Sequence, residues 1–164
     1  RHIRAFGRAL RGGPAGVNTP DPAPMPAQVI HATCVADGPE RALLILGPSG
    51  SGKSALALQL IALGLTLVAD DRTELSSGVA GPVARCPTPT RGLIEARGLG
   101  ILNAPTLPEA CVTLAIDLGQ RETKRLPPHR SIVFCGHPVD LVLATDGPHL
   151  APALILALRH GRAA

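Results

Sequence analysis

The chain has 164 residues, a length that suits one compact domain and leaves no room for two full enzyme domains. Hydrophobic residues make up 45% and charged residues 17%, enough for a packed core, while two phenylalanines and no Trp or Tyr exclude the usual stacking platform for single-stranded nucleic acid. Of the net charge of +4, +3 falls in the first 24 residues, where Arg1, Arg4, Arg8 and Arg11 meet only Asp21, so the remainder is nearly neutral and no nucleic-acid face is expected.

Residues 1–26 carry Gly12-Gly13-Pro14 and then Pro20, Pro22, Pro24 and Pro26, a spacing hostile to helix and central strand, and they read as a flexible Arg/Pro-rich arm. The only methionine is Met25 and the chain opens on Arg1, so the first 24 residues are expected to be an extension, or not translated at all. The arm has no apolar stretch of the secretory type. The catalytic or binding domain is expected over 27–164.

From Gln28 to Ala36 the run QVIHATCVA predicts one strand, and Asp37-Gly38-Pro39 turns the chain into a second, Arg41 to Leu46, so the two should form a hairpin. GPSGSGKS follows, then ALALQLIAL up to Gly64, a helix that is apolar almost all round and is therefore expected to be buried. Leu65 to Ala69 predicts a strand covered on both faces, running into Asp70-Asp71. Ser76 to Arg91 reads as short strands or loops, and Leu93 to Ala104 as two short apolar segments around Arg97-Gly98-Leu99-Gly100, whose glycines imply a sharp turn. Strands are expected at Cys111–Leu118, 131–134 and 139–144, and a closing helix at 147–160.

The longest largely apolar stretch, 55–69, falls short of the roughly 20 residues that span a bilayer. Cys34, Cys86, Cys111 and Cys135 form no C-x-x-C pair, which argues against zinc and for buried free thiols in a reducing cytoplasm.

Gly47-Pro48-Ser49-Gly50-Ser51-Gly52-Lys53-Ser54 fits G-x-x-x-x-G-K-[ST] between a predicted strand and a predicted helix, the setting that separates a phosphate loop from a chance match. Its glycines let backbone N–H groups curl round phosphate oxygens, Lys53 reaches the outer phosphates, and the Ser54 hydroxyl is placed for Mg²⁺. A phosphate loop defines a nucleotide site, not a reaction. Asp117, at the end of VTLAID, suits the metal-side acid of an ordinary P-loop ATPase. The adjacent Asp70 and Asp71 could instead supply one group for loop or metal and one to take a proton from an acceptor hydroxyl, or could be a solvated turn. Glu95 is an unusual charge in a strand-like segment unless it meets a metal or a cation. His31, within an apolar strand, reads more readily as a core histidine than as a phosphate ligand, and His129, His137, His149 and His160 share no metal spacing.

Taken together, a His in the first strand, GPSGSGKS, VADD and EARGLGILN make residues 31–104 resemble the C-terminal catalytic domain of the bacterial HPr kinase/phosphorylase family. The resemblance departs at Ala55, where the family usually has Glu, and these residues offer no counterpart of the family's N-terminal domain. It implies a P-loop α/β core of the phosphoenolpyruvate carboxykinase-like type, a mixed sheet with flanking helices, commonly assembled as a hexamer. It also implies a Mg-ATP-dependent protein-serine kinase whose substrate is the phosphocarrier protein HPr, with the reverse phosphorolysis as a second activity. On that resemblance Lys53 and the loop hold ATP, Ser54 and Glu95 serve Mg²⁺, Asp70 is the general base with Asp71 beside it, and His31 lies near the transferred phosphate, while Arg125 and Arg130 are candidates for the family's C-terminal arginines. The competing readings are a P-loop ATPase or kinase with another acceptor that uses Asp117 on the metal, and a nucleotide-responsive regulatory module without transfer.

Overall fold

The computed structural model describes residues 26–164, so the expected arm lies outside the described residues except for Pro26. The hairpin predicted around Asp37-Gly38-Pro39 is present: β2 (Ala32–Ala36) pairs antiparallel with β3 (Ala42–Leu46), and both are almost wholly buried. One expectation needs correcting. The run 28–36 is not a single strand but breaks at His31, with β1 (Gln28–Ile30) pairing with β5 (Thr73–Ser77) while β2 continues between β3 and β4 (Thr66–Ala69). The bend lets one chain serve two sheet segments that diverge, and it frees the His31 side chain from the strand alternation.

The main sheet runs β4-β2-β3-β9-β11-β10, where β9 (Glu109–Arg121) is parallel to β3 and to β11 (His137–Ala144), and β10 (Arg130–Phe134) closes the edge antiparallel to β11. The first part of β9 also pairs with β6 (Pro82–Arg85), joining the antiparallel β1-β5-β6 group to the same sheet. A separate hairpin, β7 (Leu93–Ala96) with β8 (Gly100–Asn103), lies outside that sheet and turns through Arg97-Gly98-Leu99. The fold is thus mixed α/β, with a mixed sheet and two helices, as expected.

Alternating residues of β2, β3 and β9 divide the interior in two. Val35, Leu43, Ile45 and Ile116 face α1 (Lys53–Ala62) and α2 (Leu150–His160), whereas Cys34, Leu44 and Ala115 face the opposite side with Leu75 and Val139. Strand β4 does have both faces covered: Leu67 belongs to the helix side and Val68 to the other. It is antiparallel to β2, and its far side meets only a single bridge from Leu67 to Thr106.

Helix α1 ends in a Schellman motif, with Leu65 N–H donating to Leu60 O (3.0 Å), Gly64 N–H donating to Ile61 O (3.0 Å) and Gly64 at φ 112. The expectation that α1 is buried all round is also corrected. Leu56, Ala57 and Leu60 are buried, but Ala55, Gln59 and Ala62 are exposed, because only one side of the helix rests on the sheet among the described residues. The thiols are free, with Cys34, Cys86 and Cys135 buried and Cys111 half-buried, and burial pushes the Cys34 thiol well up. Among the described residues no helix is long and apolar enough to cross a membrane.

The C-terminal helix is tied to the β2–β3 turn by Arg159, whose Nε donates to Asp37 Oδ2 at 3.0 Å, with Arg41 beside the same carboxylate at 3.3 Å. The hydrogen bond from Arg159 holds the Asp37 carboxyl below its usual range. A carboxylate whose folded value is depressed contributes stability that is fully present above its unfolded value and is lost as pH falls through the folded one. Denaturant unfolding is therefore expected to show stability declining below about pH 4, with a shallower decline in Asp37→Asn. Leu60→Ala, at a fully buried position between α1 and the sheet, is expected to cost about 2–5 kcal/mol in the same assay.

Candidate active site

Strand β3 delivers the chain at Leu46 to the phosphate loop, and α1 starts at Lys53. The loop's glycines are needed for their backbone: Gly50 and Gly52 have φ of 81 and 97, and a Cβ on Gly47 would come within 2.5 Å of Ser51 Oγ. A turn closed by Ser51 N–H to Pro48 O (3.1 Å) leads into the helix, whose ladder opens with Leu56 N–H to Gly52 O (2.9 Å). Ser51 Oγ is the one buried side-chain N or O atom without a hydrogen-bond partner among the described residues, and it lies inside the loop.

Lys53 is only 6% exposed. Its ammonium donates to Gly47 O (2.9 Å) and Pro48 O (3.1 Å) and lies 3.2 Å from His31 Nε2. An ammonium can only donate, so Nε2 must accept and the imidazole proton sits on Nδ1, which is 3.3 Å from Asp71 Oδ1. The structure therefore does not leave His31 as a plain core histidine. It stands half-exposed between the loop lysine and an acid, with Ser49 Oγ 3.3 Å from its Nε2.

The two acids after β4 differ in every respect. Asp70 Oδ1 accepts hydrogen bonds from Ser54 Oγ (2.7 Å) and Thr33 Oγ1 (3.0 Å), while Oδ2 accepts from Glu95 N–H (3.0 Å), so three of a carboxylate's roughly four lone-pair sites are taken. Asp71 adopts the left-handed conformation at φ 64, is exposed, and has His31 as its polar side-chain partner among the described residues. The resemblance implies Asp70 as the base with Asp71 beside it; in the structure Asp71 lines the cleft, whereas Asp70 lies behind it with both its oxygens hydrogen-bonded.

That cleft has a volume of about 510 Å³, and its lining includes Ser49, Lys53, Ser54, Asp71, Glu95 and Arg97. It brings together the phosphate loop, Asp71 and the Glu95 of hairpin β7–β8, which Asp70 fastens to the start of α1. Asp117 sits beside the loop but does not line this cleft. Its neighbours Ile116 and Leu118 pack toward α1, so its own side chain points to the other face, where it accepts from Gly119 N–H (2.8 Å) and Gln120 Nε2 (2.7 Å). His129, His137, His149 and His160 do not line the cleft; His137 Nε2 instead meets Ser77 Oγ at 2.9 Å. Arg130 is likewise distant in role, paired with Glu122, whose carboxyl that guanidinium holds below its usual range.

Two residues of the site went unnoticed in the sequence. Thr33 hides as one hydroxyl in an apolar strand, detectable only as a polar residue two positions after His31. Arg97, taken as part of a turn, adds a cation to the cleft.

A divalent metal is compatible with this donor set. Ser54 Oγ, Asp70 and Glu95 are oxygen donors of the hard type, and no group of three or more His, Cys, Asp and Glu among the described residues forms a self-sufficient metal cage. Mg²⁺ commonly takes one or two carboxylates and completes its shell with water and substrate phosphates. Asp71 and Glu95 also face the space where an anionic triphosphate would lie, and a divalent cation offsets that repulsion.

A phosphate loop opening a helix on a mixed sheet, with a strand-tip acid on the wall of its cleft, defines a P-loop nucleotide-binding α/β domain. Residues 25–112, more than half of the chain, match the family model described as HPr Serine kinase C-terminal domain, and the chain belongs to that family. It is 45% identical over 102 residues to the HPr kinase/phosphorylase of Aromatoleum aromaticum (54% of this chain, 32% of that protein). It is 50% identical over 66 residues to that of Bordetella pertussis (40% of this chain, 21% of that protein). The chain thus matches about a third or less of these relatives' length. The solved structure of the Hpr(Ser) kinase/phosphatase from Coxiella burnetii superposes with a TM-score of 0.65 at 27% identity, covering 80% of this chain and 88% of that one.

Because its ammonium is buried among carbonyls, Lys53 is the cation positioned to exchange those bonds for phosphate oxygens. Lys53→Met is expected to weaken ATP binding about 10- to 100-fold by calorimetry, the range for losing a charged hydrogen bond, without loss of the fold by circular dichroism.

Proposed function

We propose that this domain transfers the γ-phosphoryl group of ATP, with Mg²⁺, to a seryl hydroxyl of the phosphocarrier protein HPr, in the cytoplasm. The observation that carries this reading is the meeting, in one cleft, of a phosphate loop and a left-handed Asp71 whose carboxylate is left open on the cleft side. Membership of the family supplies the acceptor.

In this mechanism the loop N–H groups and Lys53 bind the β- and γ-phosphates, and Ser54, which donates its hydroxyl hydrogen bond to Asp70, would offer its oxygen to Mg²⁺. Glu95, on the hairpin, would be the carboxylate that holds the ion. When bound, Mg²⁺ supplies electrostatic relief for charge developing on the phosphoryl oxygens. Asp71 accepts the proton of the incoming serine as its oxygen bonds to the γ-phosphorus. The bond from that phosphorus to the β–γ bridging oxygen breaks, and its electron pair leaves on ADP. His31, donating from Nδ1, orients Asp71, and its Nε2 lies on the side of Lys53 and the phosphates. With inorganic phosphate in place of ADP, an oxygen of that phosphate bonds to the seryl phosphate's phosphorus, the bond from that phosphorus to the serine oxygen breaks, and the proton given up by the attacking phosphate passes through Asp71 to the serine oxygen, leaving pyrophosphate.

The test is mass-spectrometric detection of phosphoserine on HPr after incubation with ATP and Mg²⁺. Asp71→Asn is expected to lower kcat by about 10²- to 10⁴-fold, the usual contribution of a general base, while leaving ATP affinity intact, and Asp117→Asn is expected to change transfer by less than about threefold. The reverse pattern would favour a different P-loop enzyme with Asp117 on the metal.

A further inference from the structure

We propose that Thr33 is a positioning residue that divides the work between the two adjacent acids, fixing Asp70 as the brace and aiming Asp71 into the cleft. The proposal rests on the phosphotransfer reading above and goes beyond it in naming what sets the two roles.

Thr33 is completely buried in β2. Its hydroxyl makes two bonds whose direction is not open to choice. A carboxylate only accepts, so Thr33 Oγ1 donates its single proton to Asp70 Oδ1 at 3.0 Å. A backbone amide only donates, so the same oxygen accepts from Asp71 N–H at 3.1 Å. One atom thus holds the side chain of the first acid and the main chain of the second.

The ladder explains why such an atom is needed. Strand β2 pairs with β4 through Cys34 and Ala69, with a register shift between Cys34 and Val35, and β4 ends at Ala69. Past that point no strand partner takes the amide of Asp71, and the Thr33 hydroxyl occupies the place. Asp71 then takes up φ 64, a conformation that L-residues other than Asn and Asp seldom adopt. The turn is closed on its other side by Arg72 N–H to Asp70 O at 2.7 Å. Without the left-handed residue the chain would carry on extended and Asp71 would turn away from His31.

Thr33→Val keeps the shape and removes both bonds; Thr33→Ser keeps the hydroxyl and removes a methyl. The first readout is amide hydrogen exchange at Asp71, which needs no acceptor protein. It is expected to speed up at least tenfold in Thr33→Val and to stay near the native rate in Thr33→Ser. The second is steady-state transfer to HPr. Thr33→Val is expected to lower kcat about 10- to 100-fold with the KM for ATP within about twofold, the scale of a lost bond to a charged group, and Thr33→Ser to restore kcat to within about threefold. If Thr33→Val does not fold, Thr33→Ala replaces it in both assays. Native exchange at Asp71 in the hydroxyl-free variant overturns the proposal whether or not the wild type phosphorylates HPr. Accelerated exchange with unchanged kcat, or a loss that Thr33→Ser fails to restore, overturns it as well. A wild type that phosphorylates no serine of HPr would sink the functional reading, while the exchange measurement still decides what Thr33 does to Asp71.

Discussion

One carboxylate organises this site. Asp70 receives the hydroxyl of Ser54 from the first turn of α1, the hydroxyl of Thr33 from β2, and the amide of Glu95 from β7, so three elements that touch only partly through their apolar faces are pinned at a common point. Bonds to an ionised acceptor are stronger than neutral ones, and each has a separate structural consequence. The Ser54 bond sets the hydroxyl beside the phosphate loop. The Thr33 bond locks the strand end. The Glu95 bond holds the hairpin against the mouth of the cleft although β7 and β8 share no ladder with the main sheet. Remove this point and the apolar core remains, since Leu60, Leu67 and Ile94 pack independently of it, but the polar groups lose their common reference.

Much of this was legible in the sequence, for identifiable reasons. The β3–loop–α1 unit announces itself because glycine, lysine and serine are required at fixed steps, and Gly64 marks the helix end through a conformation that suits glycine. What stayed hidden depends on register. The break at His31 cannot be read from QVIHATCVA, because every residue but His31 suits a strand, and the break shows only in the pairing, β1 with β5 and β2 with β3 and β4. Likewise β9 exceeds the expected 111–118, since its polar ends, Glu109 and Gln120-Arg121, are strand only because β6 and β11 pair with them.

The roles of Asp70 and Asp71 were equally hidden. Composition and spacing make neighbouring aspartates equivalent; only a backbone angle at the second and a hydroxyl facing the first separate them. Asp117 shows the converse. Its pattern, an apolar run ending in an acid, is as good as that of VADD, and its register beside Leu46 places it next to the loop. Strand alternation alone removes it from the α1 face, because Ile116 and Leu118 occupy that side. A reading by proximity in the sheet would choose it; a reading by face does not.

The arrangement also answers a difficulty common to sites that handle phosphate with acids nearby. Asp71 and Glu95 repel a triphosphate, yet a proton acceptor must stand close to the point of attack. Here Lys53 and Asp71 are separated by depth. Lys53 is buried at the floor, fixed by Gly47 and Pro48 carbonyls; Asp71 is exposed at the rim, and its carboxylate is linked to Lys53 through His31. A phosphate chain entering the loop would meet positive charge and N–H dipoles first, leaving the carboxylate at the end from which an acceptor hydroxyl must approach. The histidine keeps these opposite charges a ring's width apart. A direct Lys53–Asp71 ion pair would neutralise both groups and draw the acid down onto the floor, so on the proposed mechanism it is the imidazole between them that would let one cleft hold a phosphate and take a proton from an alcohol.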